Sequence, residues 1–178
     1  YREAITKTAI GEGRYIRQTG GKGQYGHAIV EISPLPRGTG FEYEWKIKWT
    51  DLSKEWSKPI EQGIRERLEN GVIAGYPVHD LRVTVYDGKH HAVDSKEVAF
   101  ISAGRKAIID AFAKAGAIVL EPIVNIEINA PDKFMGDLTN DLSGKRGQVT
   151  GTDNAGGELT TIKGMAPLSE LAAYQTRL

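Results

Sequence analysis

The sequence predicts an α+β fold in two domains, residues 1–120 and 121–178, and three observations carry that expectation. Alternating strand patterns, "FEYEWKIKW" the clearest, are interspersed with two helical stretches in the first part. At Glu121-Pro122 the rhythm changes, and a second series of strand, helix, strand, strand and helix begins with no long linker. The length of 178 residues, 40% hydrophobic and 26% charged, suits one ordinary globular domain or two small ones.

The first strand is expected at residues 3–10 and the second at 27–33. In "FEYEWKIKW" the residues Phe41, Tyr43, Trp45, Ile47 and Trp49 alternate with charged ones, which predicts one strand over 41–49 with every ring on a buried face. Ser57 and Pro59 open a helix in which Ile60, Ile64 and Leu68 recur every four residues, and Asn70-Gly71 closes it. "DLRVTVY" is a strand with Leu81, Val83 and Val85 on one face, ending at Tyr86. A second helix starts at "DSKE", where Asp94 and Glu97 have capping-box spacing, and runs to Gly116. Helices on one face of a sheet result.

In the second domain, Val124, Ile126 and Ile128 share a strand face. Pro131 begins a short helix holding Phe134, Leu138 and Leu142, with Ala130 at its N-cap, where Ser or Thr would add roughly 1 kcal/mol. "QVTGTDNAGGELTTIKG" is a hairpin with a glycine-rich turn, and "PLSELAAYQTRL" is a last helix. A ferredoxin-type split βαβ unit needs one more strand, so the sequence is expected to be cut at its C-terminus, and at its N-terminus too, since Tyr1 opens directly before a strand.

Composition narrows the partners. The 23 basic and 23 acidic residues balance, so any nucleic acid must be met locally rather than through a global field. From Gly13 to Val30 there is no acidic residue, whereas Arg14, Arg17 and Lys22 are present. The absence of cysteine excludes disulfides, thiol nucleophiles and cysteine-ligated zinc, and suits a reducing cytoplasm. Apolar runs such as "AIVL" fall far short of the roughly 20 residues of a membrane span, so no membrane partner is expected.

Residues 21–26 spell G-x-G-x-x-G within "RQTGGKGQYGHA". A dinucleotide site requires that motif to open a helix, but here it leads into the strand-like "HAIVEIS". The kinase version lacks its V-A-I-K, H-R-D and D-F-G companions, and the Walker spacing places Ile16 and Gly23 where glycine and Ser or Thr belong. What remains is a glycine loop presented by two strands and carrying groups suited to RNA. Arg17 and Lys22 can meet phosphates, Gln24 can hydrogen-bond bases or riboses, and Tyr25 can either stack or pack down on the sheet. His90 and His91 read as loop residues between strand and helix, without metal-ligand spacing to His27 or His79. A triad of Ser95, His91 and Asp94 is set aside, because neighbours in one loop lack separate elements to orient a base.

The stretches "GEGRYIRQTGGKGQYGHA", "ERLENGVIAGYPVHDLRVTVYDGKHHAVDSKEVAF", "LEPIVNIEINAP", "MGDLTNDLSGKRGQVTG" and "AYQTRL" resemble, in order, the C-terminal part of the bacterial elongation factor G family. The resemblance covers essentially the whole chain. It implies a first domain like the second domain of ribosomal protein S5, with a left-handed βαβ crossover, and a ferredoxin-like second domain (βαββα) without its last strand. It also implies that the loop of Gly20, Gly21, Lys22, Gly23, Gln24 and Tyr25, with Arg17 beside it, is one tip loop entering the small-subunit decoding region. Lys89, His90 and His91 would form the second tip loop, with His91 where the family has a histidine important for translocation. Lys145 and Arg146 would contact large-subunit rRNA.

The partners so implied are the ribosome, the tRNA-mRNA duplex in the decoding region and both rRNAs, met by a cytoplasmic monomer. No catalytic residue, metal or cofactor is implied in this fragment, because GTP and Mg belong to N-terminal domains outside it. The segment "WKIKWTDLSKEW" departs from the family pattern, which leaves room for a paralogue serving recycling or ribosome protection instead.

Overall fold

A computed structural model describes residues 1–18 and 20–172. The chain divides into two compact units, Tyr1–Leu120 and Glu121–Leu178. The architecture is α+β, S5 domain 2-like in the first unit and ferredoxin-like in the second.

In the first unit the strands are β1 (Arg2–Ile5), β2 (Ala9–Arg17), β3 (Gln24–Pro34) and β4 (Phe41–Trp45). Helix α1 (Ser57–Glu69), β5 (Leu81–Lys89), α2 (Glu97–Lys114) and β6 (Ala117–Leu120) follow. Four strands form one sheet in the order β2-β3-β5-β4, while β1 and β6 pair separately, Arg2 opposite Leu120. The strand expected at 3–10 is therefore two strands in different sheets. They part at residues 6–8, where the amides of Thr6 and Lys7 both turn to the Ala115 carbonyl at 3.1 Å.

Small residues set the distance between sheet and helix. Ala103, Ala107 and Ala111 recur every four residues on α2 and are fully buried against Gly11 and Gly13 of β2. Between these backbones there is no space for a side chain. The core beneath is filled by Val30, Ile32, Leu81, Val83, Val85, Ile60, Ile64, Phe100 and Ile108, so the expected faces of β5 and α1 are borne out. The parallel pair β4 and β5 is joined through α1, which forms the crossover of this unit.

Three local expectations need correction here. The 41–49 strand ends at Trp45; its five residues are all half-buried, Ile47 turns into the core, and Trp49 is 83% exposed. The strand expected to end at Tyr86 runs on to Lys89, because a bulge at Ile29/Val30 keeps β3 and β5 paired as far as His27 opposite Lys89. The capping box fails: the N-cap of α2 is Lys96, which makes no side-chain cap. Gly116, with φ of 60°, does follow the end of α2 as its stop signal suggests.

The second unit comprises β7 (Ile123–Pro131), α3 (Met135–Gly144), β8 (Gln148–Gly156) and β9 (Leu159–Pro167), with sheet order β7-β9-β8. Leu138 and Leu142 of α3 pack with Ala130 and Ile162 in a small core of their own. Ala130 is thus a buried strand residue facing α3, not a helix cap; a 3-10 turn at Asp132–Phe134 separates them. The β8–β9 hairpin turns at Gly156 and Gly157, with φ of 96° and 69°, values that glycine adopts without strain. Of the last expected helix, a 3-10 turn at Leu168–Leu171 is observed, and residues 173–178 lie outside those described.

Candidate RNA-binding tip

β2 and β3 form an antiparallel hairpin whose final pair is Arg17 opposite Gln24. Residues 18–23 connect them, with φ of 47° at Gly20 and 147° at Gly21. At both glycines a Cβ would meet nothing within 4 Å, so this apex stands in open space. The loop joins strand to strand and offers no helix N-terminus to a phosphate, which removes the physical basis of a dinucleotide site. Gln24 and Tyr25, expected in the loop, are instead the first residues of β3.

The second loop leaves β5 after Lys89 and reaches α2 at Glu97. Its turn is closed from within: the His91 amide donates to Ser95 Oγ at 2.6 Å, and the Ser95 amide donates to the His91 carbonyl at 3.0 Å. His90 and His91 are exposed above this turn. His91 Nδ1 lies 4.0 Å from Asp94 Oδ2, too far for a hydrogen bond, and Ser95 Oγ is taken up by an amide. The three groups hold a turn and do not form a triad.

The two loops are joined to each other. The Tyr25 amide donates to the Asp94 carbonyl at 2.8 Å, and Tyr25 and Ser95 form a parallel β-bridge. The Tyr25 ring meets the His91 ring edge-on, with centroids 5.6 Å apart at 61°. The half-buried Tyr25 therefore packs against the second loop, an outcome intermediate between the two roles open to it. Asp94, expected to cap α2, sits against Gly23, where a Cβ would lie 2.9 Å from its Cγ. Sequence spacing gave no signal for that role, because Gly23 and Asp94 come together only through the β3–β5 pairing.

Beneath the loops, Arg14, His27 and Lys89 fall on one row across β2, β3 and β5. His27 is buried, with Nε2 2.6 Å from Glu12 Oε1, so it supports the sheet and is withdrawn from any partner. Among the described residues, Arg17, Lys22 and Lys89 are exposed and have no carboxylate partner. Their charge is available to a phosphate backbone. His91→Ala is expected to lower stability by less than about 1 kcal/mol, the worth of one exposed ring contact, as read by thermal unfolding. A larger loss would make His91 a packing residue.

In the second unit, Lys145 and Arg146 follow α3. Lys145 Nζ is 2.7 Å from Asp141 Oδ1, and its side chain is only 17% exposed. Arg146, with φ of 58°, places its guanidinium against the carboxylate of Glu121 and 3.1 Å from Glu170. The hydrogen bonds it donates to those two carboxylates raise its pKa beyond the ordinary arginine value. Both cations are neutralised within their own unit.

Together the fold and this end of the sheet define a two-domain α+β protein that presents two joined loops at one end of its first unit. The family model described as "Elongation factor G, domain IV" matches residues 1–116, and "Elongation factor G C-terminus" matches residues 118–178. The chain belongs to the elongation factor G family. It is 48% identical to the elongation factor G of Aquifex pyrophilus over all 178 residues, which are 25% of that protein. A crystal structure from Thermus thermophilus superposes with a TM-score of 0.86 at 36% identity, over 99% of this chain and 26% of the other. The chain thus spans about a quarter of the length of these relatives.

Proposed function

We propose that this chain is the ribosome-binding module of a translational GTPase, and that it promotes tRNA-mRNA translocation by placing the loop of residues 20–25 and the loop containing Lys89, His90 and His91 in the decoding region of the small subunit. The observation that carries this reading is the joining of the two loops through Tyr25, Asp94 and His91 into one tip with unpaired cations around it. Arg17, Lys22 and Lys89 supply phosphate contacts, which position without reading sequence. Gln24 and His91 supply polar edges for the tRNA-mRNA duplex, and Gly20 and Gly21 let backbone approach it closely.

In this reading the chain is a strut and not a catalyst. Binding and hydrolysis of GTP with Mg belong to other domains of the parent factor. Lys145 and Arg146 would meet large-subunit rRNA by exchanging Asp141, Glu121 and Glu170 for phosphates, a contact supported by family membership alone. In this reading the protein is a cytoplasmic monomer, which family membership supports. No described helix is long and apolar enough to cross a membrane.

Replacing Lys22 with Ala tests the phosphate contact. Affinity for ribosomes is expected to fall, and the log-log slope of affinity against salt to become shallower by up to about 0.7 to 0.9, one phosphate's worth. An unchanged slope in a salt titration would exclude a phosphate contact by Lys22.

A further inference from the structure

The segment that departs from the family pattern ends β4 and enters α1. Because β4 runs parallel to β5, with Trp45 opposite Val85, the two strands leave the sheet at the same end. The Lys46 amide continues the pairing to the Val85 carbonyl at 2.8 Å. The chain then dips: Ile47 and Leu52 are buried beneath Gly88, where a Cβ would lie 2.9 Å from Leu52 and 3.6 Å from Ile47. The residue after Gly88 is Lys89, the start of the second tip loop. Between the two buried anchors, the amides of Asp51 and Leu52 donate to the Lys48 carbonyl at 2.9 and 3.2 Å and close a turn. Its apex is Lys48-Trp49-Thr50.

Trp49 at that apex is 83% exposed. The other tryptophans show what packing does with this side chain here: Trp45 lies against the core and Trp56 stacks on Phe100 with centroids 4.5 Å apart. A turn anchored on both sides holds Trp49 out in water, next to a Lys48 with no carboxylate partner among the described residues. Residues 46–58 carry Lys46, Lys48, Lys54 and Lys58 against Asp51 and Glu55. Within 46–56 no other apolar side chain is exposed, so this is not the apolar patch a protein partner would bury.

We propose that residues 46–53 form a third element of the tip, in which Trp49 stacks on an unpaired RNA base and Lys48 meets an adjoining phosphate. An indole beside a lysine suits single-stranded RNA, because every base offers a π-face. The proposal rests on the RNA-facing reading of the other two loops and extends it to residues 46–53.

The test compares the chain with Trp49→Ala, Trp49→Phe and Lys22→Ala, each titrated against small ribosomal subunits and against an unstructured 12-nucleotide RNA while tryptophan emission is followed. Trp49→Ala is expected to weaken subunit binding about 5- to 100-fold, with Trp49→Phe near wild type and melting temperatures unchanged. The oligonucleotide should quench the chain but not Trp49→Ala, and ultraviolet crosslinks from Trp49 should end in RNA. Binding that depends on Lys22 but not on Trp49, with no Trp49-dependent quenching, would overturn the third element and leave the tip intact. Quenching without any subunit binding would uphold the stacking site while removing its ribosomal setting. Crosslinks that end only in ribosomal protein would overturn RNA as the occupant.

Discussion

Glu3→Ala is expected to lower the stability of the first unit by at least about 4 kcal/mol, a large share of the 5–15 kcal/mol typical of a domain. Glu3 is fully buried in β1, and its carboxylate accepts four backbone N–H bonds. Oε1 takes the amides of Val72 and Ile73 at 2.7 and 2.8 Å, and Oε2 takes those of Ala74 and Tyr76 at 3.0 and 2.9 Å. The segment after α1 is thus wrapped around one side chain from the start of the protein. Without the carboxylate, the four amides lose an ionised acceptor, and a hydrogen bond to a charged group is worth about 1.5–3 kcal/mol. Glu3→Gln should be nearly as damaging, because an amide offers one acceptor oxygen and turns an NH2 toward donors.

The same geometry gives a sign to the pH dependence. Burial disfavours the Glu3 charge, but the four N–H bonds outweigh it and hold the pKa below the ordinary value near 4.5. A depressed folded-state pKa means that this stabilisation is fully present above the unfolded value and is lost as pH falls through the folded one. Urea titrations of the chain and Glu3→Gln should therefore differ most at neutral pH and converge as pH falls below the ordinary carboxylate value and through the lower folded one. Equal stability of the two at pH 7 would show that the cage contributes nothing.

Gly13→Ala is the second large effect, with an expected loss of about 3 kcal/mol or more, or no folding of the first unit. The added Cβ would lie 1.9 Å from the Ala103 carbonyl oxygen and 2.5 Å from the Ala107 amide nitrogen, both helix backbone that no rotamer change can move aside. Moving α2 outward would open the core at Phe100 and Ile108 and displace the turn before α2 that carries His91. Gly20→Ala, with open space around its Cβ position, is the control and meets only the strain of its φ of 47°. Denaturant midpoints that fall equally for the two would contradict the close approach.

How much of this could be read from the sequence depended on how local the cause was. Helix α1 was legible because Ile60, Ile64 and Leu68 keep a four-residue period and Asn70-Gly71 ends it. Leu81, Val83 and Val85 were legible for the same reason at period two. Trp49 was misread because alternation continues past the point where the chain leaves the sheet; what turns it is Ile47 sinking beneath Gly88, a residue from another strand. Asp94 has cap spacing yet lies against Gly23, and the Glu3 carboxylate finds its donors 69 to 73 positions away. The tip residues were named from family resemblance and from their chemistry. That Tyr25 joins the two loops followed only from the register of β3.

The proposed role of the joined loops is to act in the decoding region during translocation. Its most direct test is single-round mRNA translocation on pretranslocation ribosomes, with this chain replacing the matching quarter of the Aquifex pyrophilus relative. Rapid translocation is expected, slowing at least about tenfold with His91→Ala, a loss of about 1.4 kcal/mol in transition-state stabilisation, while GTP hydrolysis persists. GTP hydrolysis without translocation by the unsubstituted chain, or full translocation by His91→Ala, would contradict it.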